Sequence, residues 1–274
     1  MLFRSNPDWI DSNVHEYRVT EILEKNGLPV SPVLVVDDTL QEVGTSYVAV
    51  EQGEGDRLDR LMHLRPDDEI KLMYQAIGRF YRNLHAIKGE KSGVWVNDPE
   101  ELFDISPTEY LFENEIVGGS GEALVKKGSL SKLLHQRIID VWRANLDYLK
   151  EHQPVMVHGS PFPWSIYLIK GGSGWQVSNI TALGDTFWWD AAYDLTFLLD
   201  PPFTFMFDPW RIAFLQGYGA KPEVRRLMLY RLLQTLCAVN GVYMQPEQEQ
   251  SETWKQAALH AIPGVLKSLE TTLK

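Results

Sequence analysis

Of the chain's 274 residues only Cys237 is a cysteine, so no disulfide can close within it. That residue lies in the apolar run Leu232-Leu233-Gln234-Thr235-Leu236-Cys237-Ala238-Val239 and is expected in the core. Positive charge is also scarce: 26 Lys and Arg stand against 37 Asp and Glu, a net charge of −11. A field of that sign repels phosphate backbones and anionic lipid, which argues against nucleic-acid and membrane-surface partners. It favours a small cationic ligand, or simply keeps a cytosolic protein in solution. No window approaches the ~18 consecutive apolar residues of a membrane span. The start, Met1 to Asp8, carries no basic segment followed by a long apolar stretch, so no secretory leader is expected there. A reducing, cytoplasmic setting is the expectation.

What is present suits a folded chain of one large domain or two lobes. Val14, Tyr17, Ile22 and Leu23 fall roughly on one face of a helix spanning 14–26, which Gly27 closes. Residues 30–36 are rich in β-branched side chains and predict a strand, with Pro32 favouring an edge or entry position. A second strand is expected over 47–51. After the polar crossing Gly53-Glu54-Gly55-Asp56, helical spacing takes over at 70–87 and 131–149, with one more helix expected at 107–116. Val155-Met156-Val157, Ile166 to Ile169, and the return 175–181 after Gly171-Gly172-Ser173-Gly174 predict short strands and a hairpin. From Ala191 the chain reads as helical. The layout is α+β: a small lobe over 1–52 (a helix plus a short antiparallel sheet), then a mostly helical lobe over 53–274 with an inserted β-hairpin.

The most informative stretch is Val157-His158-Gly159-Ser160-Pro161-Phe162-Pro163-Trp164-Ser165-Ile166, followed by Asp190-Ala191-Ala192-Tyr193-Asp194-Leu195. Together they resemble the aminoglycoside phosphotransferase and choline kinase family, which has a protein-kinase-like two-lobe fold. That family carries His-Gly-Asp, four residues, and Asn before an apolar strand; a later strand ends in an Asp, and Gly-Asp-Pro-x-x-Asp-Leu follows. The resemblance implies that the first Asp positions the acceptor hydroxyl and takes its proton, while the Asn and the later Asp hold Mg²⁺ beside ATP. Tyr81 to Ile87, with Leu84-His85, resembles the end of the family's first long helix of the second lobe. Val50-Glu51 resembles the hinge that holds adenine. Glu16 falls at the helix carboxylate that pairs the nucleotide-binding Lys, and Arg4 at that Lys.

This chain departs from the pattern where the chemistry would be. Ser160 stands at the base, Ser165 at the Asn and, counting back without a gap, Ala182 at the metal-binding Asp. His158 and Asp194 remain, at positions that brace the loop's backbone. The small lobe is expected to be truncated and to lack the phosphate-covering loop. Asp185, in Gly184-Asp185-Thr186, is the one acidic candidate near the missing metal ligand, and is expected to be a solvent-facing turn residue. Trp188-Trp189 offers an aromatic floor for a cation or, more simply, packing. The rigid Pro161-Phe162-Pro163-Trp164 could fill the acceptor site. The resemblance thus implies a degenerate, non-transferring member that acts as a binding or regulatory module, with no cofactor and a small cationic ligand or a protein as partner. The alternative is a divergent phosphotransferase using ATP and Mg²⁺ on a small hydroxylated or amine-bearing molecule.

Overall fold

The computed structural model describes residues 2–4, 10–37, 39, 41, 44, 46–93, 106–200, 207–242 and 252–272, and of 2–4, 10–12, 252–253 and 272 the backbone alone. In chain order these hold β1 (Leu2–Arg4), α1 (Ile10–Lys25), β2 (Val33–Asp37), β3 (Tyr47–Val50), β4 (Asp56–Arg57), α2 (Leu58–Leu64) and α3 (Asp67–Leu84). Then come α4 (Pro107–Leu111), a π-helical turn (Phe112–Gly118), α5 (Gly119–Lys126), α6 (Lys132–Arg143), α7 (Leu146–Lys150) and β5 (Val155–Val157). The rest are β6 (Ile166–Gly171), β7 (Gly174–Ile180), β8 (Phe187–Trp189), α8 (Ala191–Leu199), α9 (Asp208–Tyr218), α10 (Val224–Asn240) and α11 (Glu252–Thr272). Among the described residues no helix is long and apolar enough to cross a membrane.

Two compact units result. The first gathers Met1–Asp104, Gln153–Leu199 and Phe205–Lys221; the second gathers Ile105–His152, Asp200–Thr204 and Pro222–Lys274. Early and late segments share the first unit because α1 packs on the turn after β7, and β4 pairs with β6.

In the first unit β1, β3 and β2 form an antiparallel sheet in that order, and β2 is an edge strand with Leu34 and Val35 exposed. A second sheet runs β4-β6-β7, and β5 pairs with β8. α3 buries Ile70, Met73, Tyr74, Ile77, Phe80, Tyr81 and Leu84, the stripe that its sequence spacing predicts. Its Gly78 meets Gly217 of α9 at backbone distance: a Cβ on Gly217 would lie 2.0 Å from the Gln75 carbonyl oxygen. Any larger residue there would push the helices apart.

The second unit is helical. Trp142 of α6 is fully buried, stacks on Phe112 and donates its indole N–H to the Leu229 carbonyl at 3.1 Å. Arg226 of α10 donates to the carbonyls of Tyr148 (2.8 Å) and Glu151 (2.6 Å), capping α7. The helix expected at 131–149 breaks at Ala144–Asn145, where Arg225 binds the Asn145 side chain. The helix expected at 107–116 becomes α4 plus the π-turn. Cys237 is buried in α10.

Candidate functional site

The site is built on the loop that leaves β5. Gly159 takes a φ of +81°, and a Cβ there would come 2.0 Å from the Asp185 carbonyl oxygen, so only glycine lets this loop lie against the turn after β7. Asp194, on the first turn of α8 and fully buried, holds the loop from beneath. Its Oδ2 accepts from the His158 N–H at 2.7 Å and its Oδ1 from the Gly159 N–H at 3.0 Å. His85 Nε2 lies 3.1 Å from Oδ2 and donates to it, which leaves His85 Nδ1 to accept from the Tyr218 hydroxyl at 3.0 Å. Burial, Asp194 and Asp190 push the Tyr218 hydroxyl up to about 12, so it keeps its proton.

His158 is equally committed. Its Nε2 donates to the Thr181 carbonyl at 2.8 Å and its Nδ1 accepts from the Tyr81 hydroxyl at 3.3 Å. Burial lowers its pKa below the ordinary value, against the attraction of Asp194. The ring is therefore a neutral brace. Asp190 caps α8 by accepting from the Ala192 N–H at 2.9 Å.

Around this frame lie the chemically decisive positions. Ser160 donates its hydroxyl proton to Asp185 Oδ2 at 2.5 Å. Ser165 is buried, with its hydroxyl 2.8 Å from the Phe162 carbonyl and 3.0 Å from the Ser160 carbonyl, so its single proton serves the loop's own backbone. Ala182 is the only non-glycine among the described residues with positive φ (64°, with ψ 39°), just ahead of a 3₁₀ turn at Leu183–Asp185. From α1, His15 Nε2 donates to the Thr186 carbonyl at 2.6 Å. Burial lowers the pKa of His15; the Thr186 carbonyl and the Asp185 charge oppose that shift.

A family model for the phosphotransferase enzyme family matches residues 2–230. The chain belongs to that family. Solved structures of aminoglycoside phosphotransferases share its fold. APH(2")-IIia, solved with GDP and kanamycin, aligns at TM-score 0.66 and 14% identity over 97% of this chain and 86% of that one. An apo thermostable mutant of APH(4)-Ia gives TM-score 0.66 and 14% identity over the same shares, 97% and 86%. APH(2")-IIa with streptomycin and ATP gives TM-score 0.60 and 16% identity over 97% and 84%. At such identities the likeness shows the fold alone: the kinase-like α+β arrangement that the sequence motifs predict. No curated protein sequence gives a significant match.

Set against the family's pattern, the loop brings Ser160, Ser165, Ala182 and Asp185 into one neighbourhood, braced by His158 and Asp194. Asp185 is the exposed residue of a turn that otherwise buries Leu183, and its carboxylate also accepts from the Ser160 hydroxyl. Glu16 is buried on α1. Arg4 lies in β1, and its side chain is outside the described set. Glu51 follows β3 and lines a cleft to which none of Ser160, Ser165, Ala182 and Asp185 contributes.

Trp188 and Trp189 are buried in β8, a strand absent from the sequence reading, so they do not form an exposed floor. Phe162 stacks on Trp164 at 4.5 Å and meets Phe197 of α8 edge-on, which fills the loop's underside with aromatic packing. Sequence reasoning missed His15, Tyr218 and Asn179. For Tyr218 the signal was only a polar ring at the end of a helix that buries Trp210, Ala213 and Phe214, whereas His15 lies among the buried polar residues Asn13, Glu16 and Thr20 of α1 and had none.

Proposed function

We propose that this member of the phosphotransferase enzyme family binds or regulates rather than transferring phosphate. The donor set at the metal positions carries the reading. Mg²⁺ demands a shell of hard oxygen ligands, usually with carboxylates among them. Ala182 offers a methyl group, and the Ser165 hydroxyl is committed to the carbonyls of Ser160 and Phe162. Among the described residues no group of three His, Cys, Asp or Glu could hold a metal ion. The residues present do not fit the divalent ion on which the family's chemistry rests. A missing carboxylate near such an ion forfeits several kcal/mol, since one unit-charge pair at ~4 Å is worth about 4 kcal/mol at an effective dielectric of 20. Ser160 supplies no base either, because a serine hydroxyl takes up no proton near neutral pH.

Thermal-shift titration with ATP, with and without Mg²⁺, tests this reading. No metal-dependent stabilisation and no ATP turnover are the expected results. A large Mg²⁺-dependent shift would overturn it. The single buried cysteine and the acidic surface support a cytoplasmic setting.

One observation favours a second reading, a divergent ATP-dependent phosphotransferase for a small hydroxylated or amine-bearing molecule. Asp185 brings a carboxylate from the turn to the position where Ser160 has lost its own. ATP turnover that disappears in Asp185→Ala, with the fold intact, would establish it.

A further inference from the structure

A cleft of about 810 Å³ lies in the first unit, between the end of α1 with the segment after it, the crossing segment 51–54, and the β6–β7 hairpin. That volume falls in the range of small-molecule sites, ~300–1,000 Å³. Its walls are pinned to one another. The Ser31 N–H donates to Asn179 Oδ1 at 2.8 Å, Ser178 Oγ donates to the Glu54 carbonyl at 2.6 Å, and the Glu51 N–H donates to the Pro32 carbonyl at 2.9 Å. Gly53 sits so tightly that a Cβ would come 2.9 Å from both the Asn179 amide nitrogen and Ser31 Oγ. Bonds at three separate points and two prolines, Pro29 and Pro32, mean that the cavity exists before any ligand arrives.

The lining is amphiphilic and single-signed. Leu28, Val30, Ile169 and Val177 contribute apolar surface, and Gln52 and Gln176 contribute amides. Three acidic residues, Glu24, Glu51 and Glu54, line it, and among the described residues no Lys, Arg or His does. Among the described residues none of these three carboxylates enters an ion pair. A triphosphate would be repelled here, whereas an alkyl chain bearing ammonium groups would match both the apolar wall and the charge.

We propose that this preformed cleft behind residues 51–54 binds a small organic cation with more than one ammonium group. The proposal gives the binding-module reading a ligand class, yet it concerns a different pocket and stands or falls independently of whether phosphate is transferred.

Calorimetric titration of the full chain with spermidine, at low and at physiological salt, tests it. Saturable one-site binding is expected. The variant Glu24→Gln/Glu51→Gln/Glu54→Gln should bind about tenfold more weakly while its thermal midpoint without ligand stays unchanged. Gln176→Trp, which fills the space without altering charge, should weaken binding at least as much. A control that removes the same charge elsewhere, Glu113→Gln/Glu122→Gln/Asp147→Asn, should bind like the parent. The proposal is overturned if spermidine does not bind, if binding never saturates, or if the control loses as much affinity as the cleft variant. Equal loss would mark diffuse attraction to an acidic protein. ATP titrated alongside bears on the phosphate-transfer reading and not on this one.

Discussion

Ser160 and Asp185, 25 residues apart in sequence, share one proton across 2.5 Å. Asp185 therefore already occupies the space beside the position where the family carries its base. Restoring that base by Ser160→Asp would set two carboxylates within hydrogen-bonding distance, and one of them would resist ionisation. At neutral pH the variant should lose about 1 kcal/mol, a modest figure because Asp185 is solvent-exposed. Acidification to pH 5 should narrow the gap to the parent as the pair takes up a proton, and Ser160→Asp/Asp185→Asn should close it at neutral pH. Urea denaturation at both pH values checks this; a Ser160→Asp protein as stable as the parent at pH 7 would mean that the two side chains do not meet.

Ala182 holds a left-handed conformation at φ 64°. An L-residue with a Cβ is strained there by roughly 1–2 kcal/mol, while Asn tolerates the region. Ala182→Asn should stabilise the protein by about 0.5–1 kcal/mol, and Ala182→Val, β-branched, should destabilise it by more than 1 kcal/mol. Midpoints of chemical unfolding at unchanged m-value decide the matter. If the two substitutions behave alike, the backbone at 182 is not left-handed.

Asp194 carries the heaviest structural burden in the site, accepting from His158 N, Gly159 N and His85 Nε2. Asp194→Ala leaves two backbone N–H groups and a histidine without their acceptor in the core, a loss of about 3–5 kcal/mol. Asp194→Asn keeps one acceptor oxygen and should lose less. A smaller loss in the Ala variant than in the Asn variant would contradict the geometry.

How much of this was legible depends on whether a feature is contiguous. His158-Gly159 and the Asp190 to Asp194 spacing could be read directly, because each motif lies within a few residues and the spacing is fixed by a loop or a helix turn. The stripe of α3 was equally plain, since a single apolar face repeats from Ile70 to Leu84, about four turns. The contact between Ser160 and Asp185 was not, because it depends on the chain reversing at Ala182 in a conformation that an alanine does not advertise. β8 escaped for another reason: Phe187-Trp188-Trp189 is only three residues long, and its pairing with Val155 to Val157 is what makes it a strand. The Glu51 cleft draws its walls from segments around residues 24–32, 51–54, 169 and 176–178, which no local pattern connects. Asn179 was invisible likewise: on β7 it reads as a strand residue, and its role in clamping Ser31 appears only once the hairpin lies against the first lobe's loop.

His15 and His158 set the response of the fold to acid. Both are buried with pKa values below the ordinary 6.5, chiefly through burial, whereas in the unfolded chain each protonates near that ordinary value. Below pH 6.5 the unfolded state therefore binds more protons than the native one, and stability must fall as pH falls. The slope approaches about 1.4 kcal/mol per pH unit for each ring that stays neutral while folded, and it levels off only below the folded-state pKa. His15→Gln retains a donor for the Thr186 carbonyl but does not titrate. Between pH 7 and 5.5 it should show a shallower decline than the parent, with the remaining slope coming from His158. Urea unfolding free energies at half-unit pH steps test this. A parent protein whose stability is flat over that interval would show that neither ring is held neutral in the native state.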